Sequence, residues 1–175
     1  MEMEPFTLAE EAAYTQSMGG ITGGFSSAHG VGSDLRPISH TPLPPINARG
    51  TRTVPAGWTA VFEGTVSARW CNSFGSVHGA CHAWIVDNLC GFTLEMLATP
   101  TFWGEPMRGG VTLGLDMAYY DSTQVGRVVR VTVRVDRMSG TNAFVTVDIG
   151  EVGKAGSVKR LASGRQLQTW RKGKL

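Results

Sequence analysis

The stretch from Ala80 to Ala98 constrains this chain more than any other, because apolar side chains run through it almost without a break and it contains no proline. It is too long for an ordinary strand and reads as a helix. A helix apolar on nearly every side needs cover all round. With about 100° between successive residues, Ala80, Ala83, Asp87, Cys90, Gly91 and Leu94 share one stripe. Ile85, Leu89, Phe92 and Met96 share a second, bulkier one.

The cover must come from the remaining chain. Trp58 to Trp70 alternates apolar and polar residues and is rich in β-branched and aromatic types, as a strand requires. Further strand-like runs follow at 111–120, 127–137, 142–150 and 157–169. In the second of these, Val129, Val131, Val133 and Val135 point to one face, and Arg130, Thr132, Arg134 and Asp136 to the other. A strand, a long buried helix and then a meander predict an α+β fold, with an antiparallel sheet wrapped around one central helix. Residues 1–54 have a different character, with Gly19-Gly20, Gly23-Gly24 and Pro42-Leu43-Pro44-Pro45. They are expected to form an extension, mobile or draped over the core, with one short helix over Thr7 to Gln16. Residues 55–175 then form the domain.

A formal net charge of +2 is too small to make nucleic acid or an anionic membrane the main partner. The opening MEMEPF lacks the pattern of a secretory signal, and no run is apolar and long enough to span a bilayer. The expectation is an intracellular protein, cytoplasmic first, with a mitochondrial or peroxisomal address as the alternative. The ending Gly173-Lys174-Leu175 is one residue away from the peroxisomal Ser-Lys-Leu signal. Cys71, Cys81 and Cys90 leave one thiol unpaired in any disulfide scheme, and two of them lie in the apolar helix, so free buried thiols are expected.

Asp87 is the residue that asks for an explanation. A carboxylate halfway along an apolar helix needs a partner or a task. A bond to a neighbouring strand's amide or hydroxyl is the structural explanation, and small residues along its stripe leave room for a substrate or another backbone. At the mouth of the same helix Gly79 exposes backbone N–H groups with the positive end of the dipole behind them, a place for an oxyanion. Gly75 and Gly79 serve equally well to shape a turn and a close contact. Residues 79 and 87 stand about 12 Å apart along one helix. One substrate carbonyl, with contacts near 3 Å, cannot reach both. If both groups act on it, the acid comes from a second copy whose helix lies antiparallel across a two-fold axis, which makes an obligate dimer.

The pattern Asn72…Gly75-Ser76-Val77-His78-Gly79…Val86-Asp87-Asn88 resembles the active-site segment of hot-dog thioesterases of the PaaI type, nearest their acyl-CoA thioesterase 13 branch. The likeness continues through Val111-Thr112, Leu115-Asp116-Met117, Tyr119, Gly126, Ala143 to Asp148 and Ala162-Ser163-Gly164-Arg165, covering about Trp58 to Trp170. The resemblance implies acyl thioester hydrolysis, with acyl-CoA the expected substrate and no cofactor. Asp87 activates water or attacks directly, and the Gly79 amide of the other subunit polarises the carbonyl. By the same resemblance Asn72 positions substrate or water, His78 orients the loop or contacts sulfur, and Thr112 supplies a hydroxyl beside the acid. It also implies a homodimer or a dimer of dimers. One departure stands out: the family commonly has a second glycine where this chain has Ala80.

Other constellations are weaker. His78 and His82 have the i, i+4 spacing of a zinc pair, but without a His-Glu-x-x-His pattern or a third ligand no metal is expected. No Cys–His–acid set supports a thiol nucleophile. The basic tail from Trp170 to Leu175 suits coenzyme A phosphates or simply solvent. A hot-dog hydratase or dehydratase, and a non-catalytic acyl-CoA binding protein, are the rival functions.

Overall fold

The computed structural model describes residues 2–20 and 34–171. Its strands are β1 (Glu4–Pro5), β2 (Leu35–His40), β3 (Trp58–Thr65), β4 (Val111–Tyr119), β5 (Val128–Met138), β6 (Asn142–Val152) and β7 (Val158–Thr169), and its helices are α1 (Leu8–Gly20) and α2 (Gly79–Leu97). The strands form one sheet in the order β1-β2-β3-β5-β6-β7-β4, with every pairing antiparallel. Helix α2 thus carries the chain from β3 across to β4, at the far edge.

Strand alternation builds the core. Trp58, Ala60 and Phe62 of β3, Val129 to Val135 at every second position of β5, and Ala143, Val145, Val147 and Ile149 of β6 are all buried on one face. Against them α2 buries Ile85, Val86, Leu89, Cys90, Phe92, Leu94 and Leu97. Helix and sheet come close together at Gly164 of β7, where an added Cβ would lie 2.6 Å from a Val86 methyl. That glycine lets α2 sit close over β7, with Asp87 beside the edge strand β4.

The helix is not covered all round. Ala80 and Asp87 are exposed in the single chain, while Ala83, Trp84, Asn88, Gly91 and Glu95 are half-buried. Cys90 and Leu94, assigned to the small stripe by helical phase, instead face the core. The open side is therefore narrower than the small stripe and includes Trp84 and Asn88.

Parts of the segment before residue 55 join the fold. Thr7 and Glu10 form a reciprocal capping box, with Thr7 N–H donating to Glu10 Oε2 at 2.8 Å and Glu10 N–H to Thr7 Oγ1 at 3.3 Å. Helix α1 then lays Tyr14 on Phe92 and Phe62, with ring centroids 5.0 and 5.7 Å away. Strand β2 pairs along β3, with a register shift between Pro37 and Ser39. Proline cannot donate to the ladder, so a strand holding one gives a weak sequence signal. The Gly23-Gly24 pair and the last residues, from Lys172 through the Gly-Lys-Leu ending, lie outside the described residues.

Candidate active site

The approach to α2 is a tight loop. Asn72 N–H donates to the Ser76 carbonyl at 2.8 Å, and His78 N–H to the Trp70 carbonyl at 2.8 Å. Asn72 Oδ1 accepts from the N–H of Phe74 at 2.9 Å and of Ser76 at 3.3 Å. Gly75 turns the tip with φ +77°, a conformation that costs glycine little. Asn72 is therefore tied by its oxygen into the loop leading to the helix, and its amide nitrogen makes no hydrogen bond among the described residues.

His78 is the N-cap of α2, with φ −68° and ψ 138°, and its Nδ1 accepts from Ala80 N–H at 3.0 Å. Capping satisfies one of the free donors at the helix mouth. Gly79 N–H, one residue earlier, has no acceptor among the described residues. On its other side the Tyr119 hydroxyl donates to the Gly79 carbonyl at 3.1 Å. The structure therefore offers one open N–H at the positive end of a long helix. Ala80 is not among the residues with positive φ, so alanine fits the backbone where the family has its second glycine.

Asp87 sits two turns further along. Its Oδ1 accepts from the Thr112 hydroxyl at 2.8 Å and from Gln166 Nε2 at 2.6 Å. Gln166 Nε2 also lies 2.6 Å from Thr112 Oγ1. Asp87 Oδ2 takes no donor from the described residues, and Asp87 itself is exposed. Bonds to a neighbouring strand's hydroxyl and amide are what a purely structural acid makes; a second oxygen left without a donor is not needed for that role. Thr112 stands where the resemblance puts a hydroxyl. Gln166 escaped the sequence reading, although it left a signal: Ala162, Gly164, Gln166 and Gln168 all take the inward phase of β7, and two glutamines are unusual there.

The thiols are poor nucleophiles. Burial, with the nearby Asp87 charge, holds Cys90 well above the ordinary thiol range, and burial pushes Cys81 up to about 12. All three cysteines are free, with Cys81 and Cys90 buried. Among the described residues no cluster of three or more His, Cys, Asp or Glu has the arrangement of a metal site.

His82 is 3% exposed, with both ring nitrogens unpartnered, and lies parallel to the Tyr119 ring at 6.1 Å. Burial lowers its pKa from 6.5 to about 4. Well above pH 6.5 the ring is neutral whether folded or unfolded and adds no pH dependence. As the pH falls from 6.5 towards 4, the unfolded chain takes up a proton that the folded chain refuses, so stability is lost across that window. The loss is on the order of 3 kcal/mol at most. A His82→Phe variant is expected to show a shallower fall in Tm over this range than the wild type; parallel curves would contradict the assignment.

No family model matches the chain. The acyl-coenzyme A thioesterases 13 of Homo sapiens and Pongo abelii are each 30% identical over 108 residues, spanning 62% of this chain and 70% of theirs. The chain belongs to the hot-dog thioesterases of the PaaI type. Thioester hydrolysis is therefore its class of reaction. Solved members share the hot-dog architecture. Zebrafish thioesterase superfamily member 2 superimposes with TM-score 0.66 at 22% identity, over 94% of this chain and 98% of that one. The E. coli PaaI protein from the phenylacetic acid degradation operon gives 0.57 at 15%, over 93% and 96%. Both superpositions reach well into the segment before residue 55. Among the described residues, no helix of this hot-dog thioesterase is long and apolar enough to cross a membrane.

Proposed function

We propose that two copies of the chain pack their open α2 faces together, antiparallel about a two-fold axis, and hydrolyse acyl-CoA at two symmetric sites. Each site takes Asp87 from one copy and the N–H of the partner subunit's Gly79. The observation that carries this reading is the open stripe of α2, which bears both the free Asp87 Oδ2 and the free Gly79 N–H, too far apart on one helix to meet at one carbonyl. Ala80 and Ala83 lie between them, and side chains that small allow helices to approach closely. Strand β4 supports the same assembly: it ends the sheet, unpaired on one side, with Leu113 and Tyr119 exposed. A long open edge of this kind invites pairing with another copy.

In this arrangement the partner's Gly79 holds the thioester oxygen as it gains negative charge, with the helix dipole behind it. With water as the nucleophile, the Asp87 carboxylate takes its proton as the oxygen adds to the carbonyl, the C–S bond breaks, and that proton passes to the departing thiolate. With Asp87 as the nucleophile, its oxygen adds to the carbonyl and the C–S bond breaks to leave an acyl–aspartyl anhydride. Water then cleaves the anhydride, giving one proton to the thiolate and one to solvent and freeing Asp87. Label found in Asp87 after a single turnover in ¹⁸O-water establishes direct attack with water adding at the aspartyl carbonyl, because the general-base route labels only the released acid. The acyl-CoA class is carried by the human and orangutan relatives.

The test is release of free thiol from a series of acyl-CoAs, with the mass in solution measured by sedimentation. Hydrolysis by a species of two or more chains is the expected result. Binding of acyl-CoA with no thiol release, or an active monomer, would contradict the reading.

A further inference from the structure

Gln166 is 2% exposed, on the inward face of β7, and the direction of its amide is settled by its partners. An ionised carboxylate only accepts, so the nitrogen end must face Asp87. That nitrogen supplies one hydrogen to Asp87 Oδ1 and one to Thr112 Oγ1, each at 2.6 Å, while the Thr112 hydroxyl donates to the same Oδ1 at 2.8 Å. The amide oxygen is consequently turned the other way, where it is buried without a donor. An unsatisfied buried carbonyl destabilises a fold; Gln166 and Gln168 both carry one, and what sets Gln166 apart is that its nitrogen bonds Asp87 and Thr112.

We propose that Gln166 is a positioning residue for the hydrolysis. Together with Thr112 it clamps Asp87 through Oδ1, which makes Oδ2 the reacting oxygen and aims it at the open face of α2. The chain accepts a less stable strand β7 in return. This inference rests on the Asp87 reading above and adds to it which oxygen reacts and what holds it.

Gln168 provides an internal control. It lies two residues along on the same face, opposite Thr112 in the ladder, is 2% exposed and also carries a buried oxygen without a donor, but its side chain bonds neither Asp87 nor Thr112. Methionine fills nearly the same volume as glutamine with no strong donor. The experiment compares kcat, KM and Tm for Gln166→Met, Gln168→Met and Asp87→Asn in the full chain, using acyl-CoA hydrolysis. Gln166→Met is expected to lower kcat about 10- to 100-fold, the loss of a hydrogen bond to a charged group, with KM within about threefold and Tm unchanged or raised. Gln168→Met is expected to keep kcat within about threefold.

The inference is overturned if Gln166→Met keeps its kcat, if both glutamine variants lose it equally, or if Gln166→Met fails to fold. If Asp87→Asn hydrolyses at the wild-type rate, the underlying reading falls and this one with it. An inactive Asp87→Asn beside a fully active Gln166→Met removes this inference alone.

Discussion

Asp87→Asn lowers kcat by about 10²- to 10⁴-fold, the range for loss of a general base. The substitution is sparing: the amide oxygen of asparagine still accepts from Thr112 and Gln166, which bond Oδ1 at 2.8 and 2.6 Å in the native chain. The side chain therefore stays in place, the fold and the assembly persist, and KM changes little. Only the free anionic oxygen is gone. Thiol release measured at saturating acyl-CoA checks this, and a kcat within about threefold of wild type would remove Asp87 from the chemistry.

Gly79→Pro costs about 10²- to 10³-fold in kcat, as removal of one oxyanion donor does. Proline normally breaks helices, but Gly79 follows the N-cap and is the first helical residue, where proline is favoured. His78 already has the extended backbone, ψ 138°, that a residue before proline requires. The substitution thus deletes one N–H and little else. Gly79→Ala keeps that N–H, and its Cβ would sit 3.4 Å from the Tyr119 ring, so alanine retains most of the rate. Circular dichroism and Tm should match the wild type in both variants. Equal activity of the proline and alanine forms would mean the Gly79 amide binds no oxyanion.

Much of this was legible in the sequence because it was written in strong patterns. The alternating valines of β5 and the nearly continuous apolar run of α2 state their period directly, and Asp87, an acid at mid-helix, stands out against that run. Thr112 was found through likeness to a family, since nothing in its local pattern sets it apart. Gln166 was missed because a glutamine in a strand looks like a surface residue until the register with β6 and β4 fixes which face it takes. Strand β2 was missed for another reason. Its Pro37 and its setting in Gly- and Pro-rich chain mask a pairing that β3 imposes from outside. Asn72 was singled out through the same likeness, as a residue that positions substrate or water, and the pattern gave no sign that its oxygen is engaged within the loop before the helix.

The open face of α2 follows the same logic. Periodicity showed that the helix needed cover, and the sheet and α1 supply it except along the side bearing Ala80, Ala83, Trp84, Asp87 and Asn88. A single chain leaves that stripe to water, together with one free donor and one free acceptor eight residues apart. Two chains would bring the donor of each to the acceptor of the other.

Mixing two inactive variants measures this directly. Asp87→Asn and Gly79→Pro chains, unfolded together and refolded, form mixed dimers in which one site joins a native Asp87 to the partner's native Gly79 and the other site carries both changes. With random pairing, about a quarter of the wild-type sites are restored, so hydrolysis should recover to about that level while each variant refolded alone stays inactive. A mixture no more active than its separate parts would contradict a reaction centre shared between two chains.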